Sequence, residues 1–147
     1  MHAPLSAQAT TAPPPGWSRV FAAIPASVGE ARRFVAGILD GCPVADDAVL
    51  CISELATNSV LHSNSAQAGG TFTVHAEICH GDYLWIEVED SGGPWDTYPH
   101  DNDRPHGLAI VAALASDWGI DGDYRARVVW ARFDWPPPDS GPRQVPS

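Results

Sequence analysis

The chain contains no lysine. Its 8 basic residues are all arginine and stand against 18 Asp and Glu, for a formal net charge of −10. A Walker-type phosphate loop needs Gly-Lys-Ser/Thr, so that class of nucleotide site is excluded. A surface of this sign repels a phosphate backbone, so direct nucleic-acid binding is not expected, whereas a basic protein partner would be steered toward it. Cysteine is scarce and odd in number: Cys42, Cys51 and Cys79 form no CxxC pair. That pattern predicts reduced, buried small hydrophobes rather than a disulfide or zinc framework. No apolar run approaches the roughly 20 residues that span a bilayer, so no membrane contact is expected. The first 16 residues lack a cationic start followed by an apolar stretch, which argues against a secretory signal and for a cytoplasmic protein.

What is present is enough apolar material for one domain: 147 residues, 44% of them hydrophobic. The two ends, 1–16 and 136–147, hold nine of the 14 prolines. Such composition suits neither helix nor central strand, so both ends are expected to be flexible tails around a domain at 17–135. Inside it, Arg19–Ile24 suits a strand. Ser27 is placed to cap a helix through Phe34, Val35 and Ile38, closed by Gly41 and Pro43. A second helix is expected from Asp46 or Asp47 to about His62, with Val49, Ile52, Ala56 and Val60 as its apolar stripe. Period-two alternation marks strands at Thr71–Cys79 and Tyr83–Asp90, joined tightly by His80-Gly-Asp. After a Gly/Pro/Asp-rich loop come a helix from Gly107 to about Ala115 and strands near Trp118–Ile120 and Arg127–Phe133. This order predicts an α+β fold: a two-layer sandwich with a mixed, mostly antiparallel sheet and helices on one face.

Three segments carry chemistry. Glu54, Asn58 and His62 recur every four residues and form one polar ridge, about opposite the apolar stripe at ~100° per residue. Such a ridge also describes an ordinary solvated helix face. In Glu87-Val-Glu-Asp90-Ser-Gly92-Gly93, a strand ends in a carboxylate followed by glycines, which suits either a plain turn or close approach to a flat ring. In Arg104-Pro105-His106-Gly107-Leu108, a helix starts directly after a glycine, where free N–H groups and the helix dipole can hold phosphate without lysine.

In order and spacing these segments resemble the GHKL (Bergerat-fold) ATPase superfamily, which includes gyrase, histidine kinases and the heat-shock chaperone ATPase. Glu54-Leu-Ala-Thr-Asn58-Ser-Val-Leu-His62 resembles its N box, Asp90-Ser-Gly92-Gly93 its G1 box, and His106-Gly107-Leu108 its G2 box. Val128 to Phe133 resembles the last strand of the anti-sigma kinase subgroup. The resemblance implies ATP and Mg²⁺ as cofactors. It implies Asn58 on the metal, Glu54 as general base, Asp90 accepting from the adenine amino group, and Gly92 clearing space. His106, Gly107 and Leu108 would face the phosphates, the last two through backbone N–H groups. Two departures stand out: Pro105 replaces the first G2 glycine, and Val128 stands where the subgroup often carries a threonine.

The length leaves no room for the further domains of a sensor kinase, topoisomerase or chaperone, so a stand-alone form is expected. It resembles anti-sigma factors that phosphorylate a serine on an antagonist protein and sequester a sigma factor, and it allows a homodimer. The alternative is a catalytically weak or inactive ATP-binding module that acts by sequestration alone; an orphan domain serving another signalling protein is a third reading. Pro105 and Val128 favour the module, whereas Glu54 and Asn58 favour the kinase.

Overall fold

The computed structural model describes residues 16–63, 69–92, 108–123 and 125–136, with His62 described in its backbone alone. The elements run β1 (Gly16–Ala22), α1 (Pro25–Ile38), α2 (Ala45–His62), β2 (Thr71–Cys79), β3 (Tyr83–Asp90), α3 (Leu108–Leu114), β4 (Asp117–Gly122) and β5 (Arg127–Asp134). The two tails expected from composition fall almost wholly outside these residues.

The five strands form one sheet in the order β1-β2-β3-β5-β4. Every neighbouring pair among the described strands is antiparallel, so the parallel component allowed by the sequence is not present there. Alternation decides which face is covered. Phe72, Val74, Ala76 and Ile78 of β2, Leu84, Ile86 and Val88 of β3, and Val129, Ala131 and Phe133 of β5 are all buried. The register sets Val74 beside Val88, Ala76 beside Ile86, and Ile86 beside Ala131, which makes these side chains one apolar sheet face. Fully burying a large aliphatic or Phe side chain contributes about 1.5–3 kcal/mol, so this face is the main source of stability. The helices form the second layer. Ala31 and Val35 of α1 and its C-cap residue Leu39 point into the core, where Phe21 stacks on Phe72 at 5.4 Å and meets Phe34 edge-on at 5.9 Å.

Helix α1 starts earlier than Ser27 predicts. Ile24 is the N-cap position and Pro25 opens the helix, with no side-chain cap. Proline has its φ preset for the first turn and no N–H to leave unsatisfied, so it starts the helix two residues ahead of the serine. Ser27 instead lies buried in that first turn, and β1 ends at Ala22 rather than Ile24.

The other sheet face is open and polar-aromatic. Ser18 Oγ lies 2.6 Å from His75 Nδ1, and His75 Nε2 lies 3.0 Å from Glu77. Trp85 and Trp130 stack with ring centres 4.7 Å apart, and Arg132 sits over Tyr83 while bonding Asp134. No helix among the described residues is long and apolar enough to cross a membrane.

Candidate functional site

Helix α2 organises the site because it is the central helix, with α1 on one flank, α3 on the other and β3 beneath. That position widens its buried arc beyond the predicted stripe: Ala48, Cys51, Ile52, Leu55, Ala56, Ser59, Val60 and Ser63 are buried, whereas Val49 is only half-buried. At Asn58 the ridge is therefore not a solvated face. Asn58 is 4% exposed, and its Nδ2 has no hydrogen-bond partner. Leaving a buried polar group unsatisfied costs about 1–3 kcal/mol, which a structural asparagine would not ordinarily bear. Glu54 lies one turn earlier and is half-buried; the His62 side chain lies outside the description.

The next residue, Ser59, ties this helix to the end of β3. Its Oγ donates to Asp90 Oδ2 at 2.7 Å. The other carboxylate oxygen accepts from the Gly92 N–H, also at 2.7 Å. Asp90 is 8% exposed, and such charge-assisted bonds are what allow a carboxylate to be buried. An ionised carboxylate has about four acceptor positions. Gly92 takes φ +73°, left-handed backbone that a side chain would strain. The carboxylate-glycine turn expected from the sequence is thus formed, and it lies against the helix carrying Asn58.

Leu108 opens α3 with its side chain buried. His106, Gly107 and Pro105 lie outside the described residues; among the rest, the structure ties Asp90 and Gly92 to Ser59, which follows Asn58 on the helix that carries Glu54 one turn earlier, with Leu108 at the head of the neighbouring helix. Val128 requires a correction. It pairs with Glu89, whereas Arg127 pairs with Asp90. Strand alternation therefore sends Val128 to the open face and Arg127 to the face that carries the site. Two residues were missed in the sequence: Ser59, which lies between the stripe and the ridge, and Arg127, which is 3% exposed. The alternation Arg127, Val129, Ala131, Phe133 already marked Arg127 as inward-facing.

Burial, aided by the charges of Asp47 and Glu54, pushes the Cys51 thiol up to about 12, so it stays protonated. Cys42 and Cys79 are also raised, chiefly by burial, but contrary to expectation both are only half-buried. A groove of about 250 Å³ beside Gly29, Arg32, Arg33, Ala36 and Val49 shares no residue with the Asp90 cluster.

The residues present fit the cofactors that the resemblance implies. A half-turn of the Asn58 amide exchanges its nitrogen and oxygen, so the unsatisfied buried end can present a neutral oxygen to a hard cation. No cluster of three or more His, Cys, Asp or Glu that could hold a metal occurs among the described residues. Mg²⁺ keeps waters and takes most of its ligands from phosphate rather than from a protein cage.

The fold has counterparts among known proteins. The chain is similar over 86% of its length to a structure of the RsbU and RsbW domains of Rv1364c from Mycobacterium tuberculosis, with a TM-score of 0.67 and 22% identity. It spans 34% of that chain. A histidine kinase domain from the Erythrobacter litoralis EL346 blue-light activated histidine kinase matches over 74% of this chain and 63% of its own, at 19% identity and a TM-score of 0.47. No curated protein sequence matches. The sequence model of the histidine kinase-like ATPase domain matches residues 21–133, which span every element from the inward-facing Phe21 of β1 to Phe133 of β5, and the chain belongs to that family.

Proposed function

We propose that this protein is a cytoplasmic, Mg²⁺-dependent serine/threonine protein kinase of the anti-sigma-factor type, which phosphorylates a serine of an antagonist protein and sequesters a sigma factor. The observation that carries the nucleotide site is the unsatisfied, buried Asn58 amide next to Ser59, the residue that holds Asp90. Asn58 would hold Mg²⁺, Asp90 would receive the adenine amino group, and the backbone of Gly107 and Leu108 would meet the phosphates. When bound, ATP with Mg²⁺ supplies an activated phosphoryl group whose charge the metal offsets. Glu54, one turn from Asn58 and half-buried, takes the proton of the incoming serine hydroxyl.

The test is phosphotransfer from labelled ATP to a cognate antagonist, with Glu54→Gln beside wild type and ATP binding measured in parallel. Loss of a positioned base costs about 10² to 10⁴ in rate, so Glu54→Gln should bind ATP and fail to transfer. Equal transfer by both sinks Glu54 as base. The sequestering module remains the second reading. It draws support from Pro105, but no longer from Val128, whose strand register turns it away from Asp90. Tight binding of the partner with no transfer by wild type would favour that module.

A further inference from the structure

The inference rests on the nucleotide site proposed above and concerns a residue that reading leaves unused. Arg127 is among the most buried charged groups of the described chain, at 3% exposure. It pairs directly with Asp90 across the β3–β5 ladder. Directly paired residues on antiparallel strands share a sheet face with Cα atoms about 4.5–5.5 Å apart. Asp90 faces α2, since it accepts from Ser59, so Arg127 emerges on the same side. The end of the sheet that reads the base therefore carries an anion and a cation side by side, one on each of two central strands. Buried charge is tolerated where an opposite charge or a ligand compensates it.

We propose that Arg127 is a specificity-determining residue, so that with Asp90 it reads a purine edge as an acceptor–donor pair and admits guanine as well as adenine nucleotides. Where a carboxylate takes the adenine 6-amino group, guanine in the same position would set its O6 against it, acceptor to acceptor. A guanidinium beside the carboxylate removes that conflict. Its N–H groups donate to O6 while Asp90 accepts from the guanine N1–H, as Arg and carboxylate each match these edges elsewhere. With adenine, shifted by one position along the same edge, Asp90 accepts from the 6-amino group and Arg127 donates to N7. Gly92 and Ser59, which hold both carboxylate oxygens, keep the acceptor in place for either base.

The experiment is equilibrium binding of ATP and of GTP, each with Mg²⁺, to wild type, Arg127→Thr, Arg127→Gln and Asp90→Asn, with circular dichroism to verify that each variant folds. Wild type should bind the two nucleotides within about tenfold of each other. Arg127→Thr should keep ATP within about tenfold and weaken GTP by about 10² or more, because a site left with a facing acceptor pair discriminates strongly. Arg127→Gln, which keeps an N–H donor without the charge, should fall between them. Wild type that rejects GTP by more than about 10²-fold overturns the proposal without recourse to any variant. So does an ATP/GTP ratio unchanged in a folded Arg127→Thr protein; Arg127 is then only a counter-ion. Those outcomes leave the ATP site standing. Failure of wild type to bind either nucleotide overturns the site itself, and this inference with it.

Discussion

At the scale of single residues, Asp90 and the two groups that hold it decide the most. Ser59→Ala removes a buried charge-assisted bond of 2.7 Å. Bonds to charged groups contribute about 1.5–3 kcal/mol, so urea unfolding should register a loss of that order, with weaker ATP binding alongside. A loss below ~0.5 kcal/mol would mean that Asp90 does not depend on the serine. Cys51 supplies a pH test. Its thiol titrates near 9.0 when unperturbed and about 12 in the fold. In that interval the unfolded chain releases a proton that the folded chain keeps, so the unfolded state binds fewer protons and stability falls as pH rises. The contribution is fully present below the lower value and is lost as pH climbs through the upper one. Denaturant midpoints for wild type and Cys51→Ala, taken across this range, should show the shallower decline in the variant. Parallel declines would remove Cys51 as a cause.

At the scale of elements, the burial pattern separates costly from harmless changes. Ile86 lies at 0% exposure in β3, between β2 and β5, whereas Leu61 on α2 is 59% exposed. Ile86→Ala should cost about 2–5 kcal/mol and Leu61→Ala within about 0.5 kcal/mol, read from chemical denaturation. Strand β4 offers a sharper test. A Cβ at Gly119 would come within 2.7 Å of the Trp130 ring, which itself stacks on Trp85. Gly119→Ala therefore displaces the indole, and the near-ultraviolet signal of the tryptophan pair should change even where far-ultraviolet structure persists. An unaltered spectrum would show that the ring yields without losing its stack.

At the scale of the whole molecule, the charge of −10 acts at long range. Association with a basic protein partner should slow steeply as ionic strength rises past ~0.15 M, because screening shortens the Debye length to about 8 Å. A salt-independent on-rate in stopped-flow would remove electrostatic steering from the account.

Much of this was legible in the sequence. The hairpin strands at Thr71–Cys79 and Tyr83–Asp90 follow from strict alternation, which only a half-covered sheet satisfies. Asp90 and Gly92 announced themselves as a carboxylate at a strand end before a glycine, and the structure gives that glycine its positive φ. Local rules account for these features because each depends on neighbours in the chain. The remainder depends on what packs against what. Whether Glu54, Asn58 and His62 formed a solvated ridge or a pocket wall could not follow from helical period, since period describes one helix and burial needs the helix beside it. Asn58 is buried because α2 lies between α1 and α3 over β3. Ser59 acquired its role only when β3 ended within reach of its hydroxyl. Val128 and Arg127 exchanged significance for the same reason: adjacent on a strand, they face opposite sides, and only the pairing of β5 with β3 determined which of them stands beside Asp90.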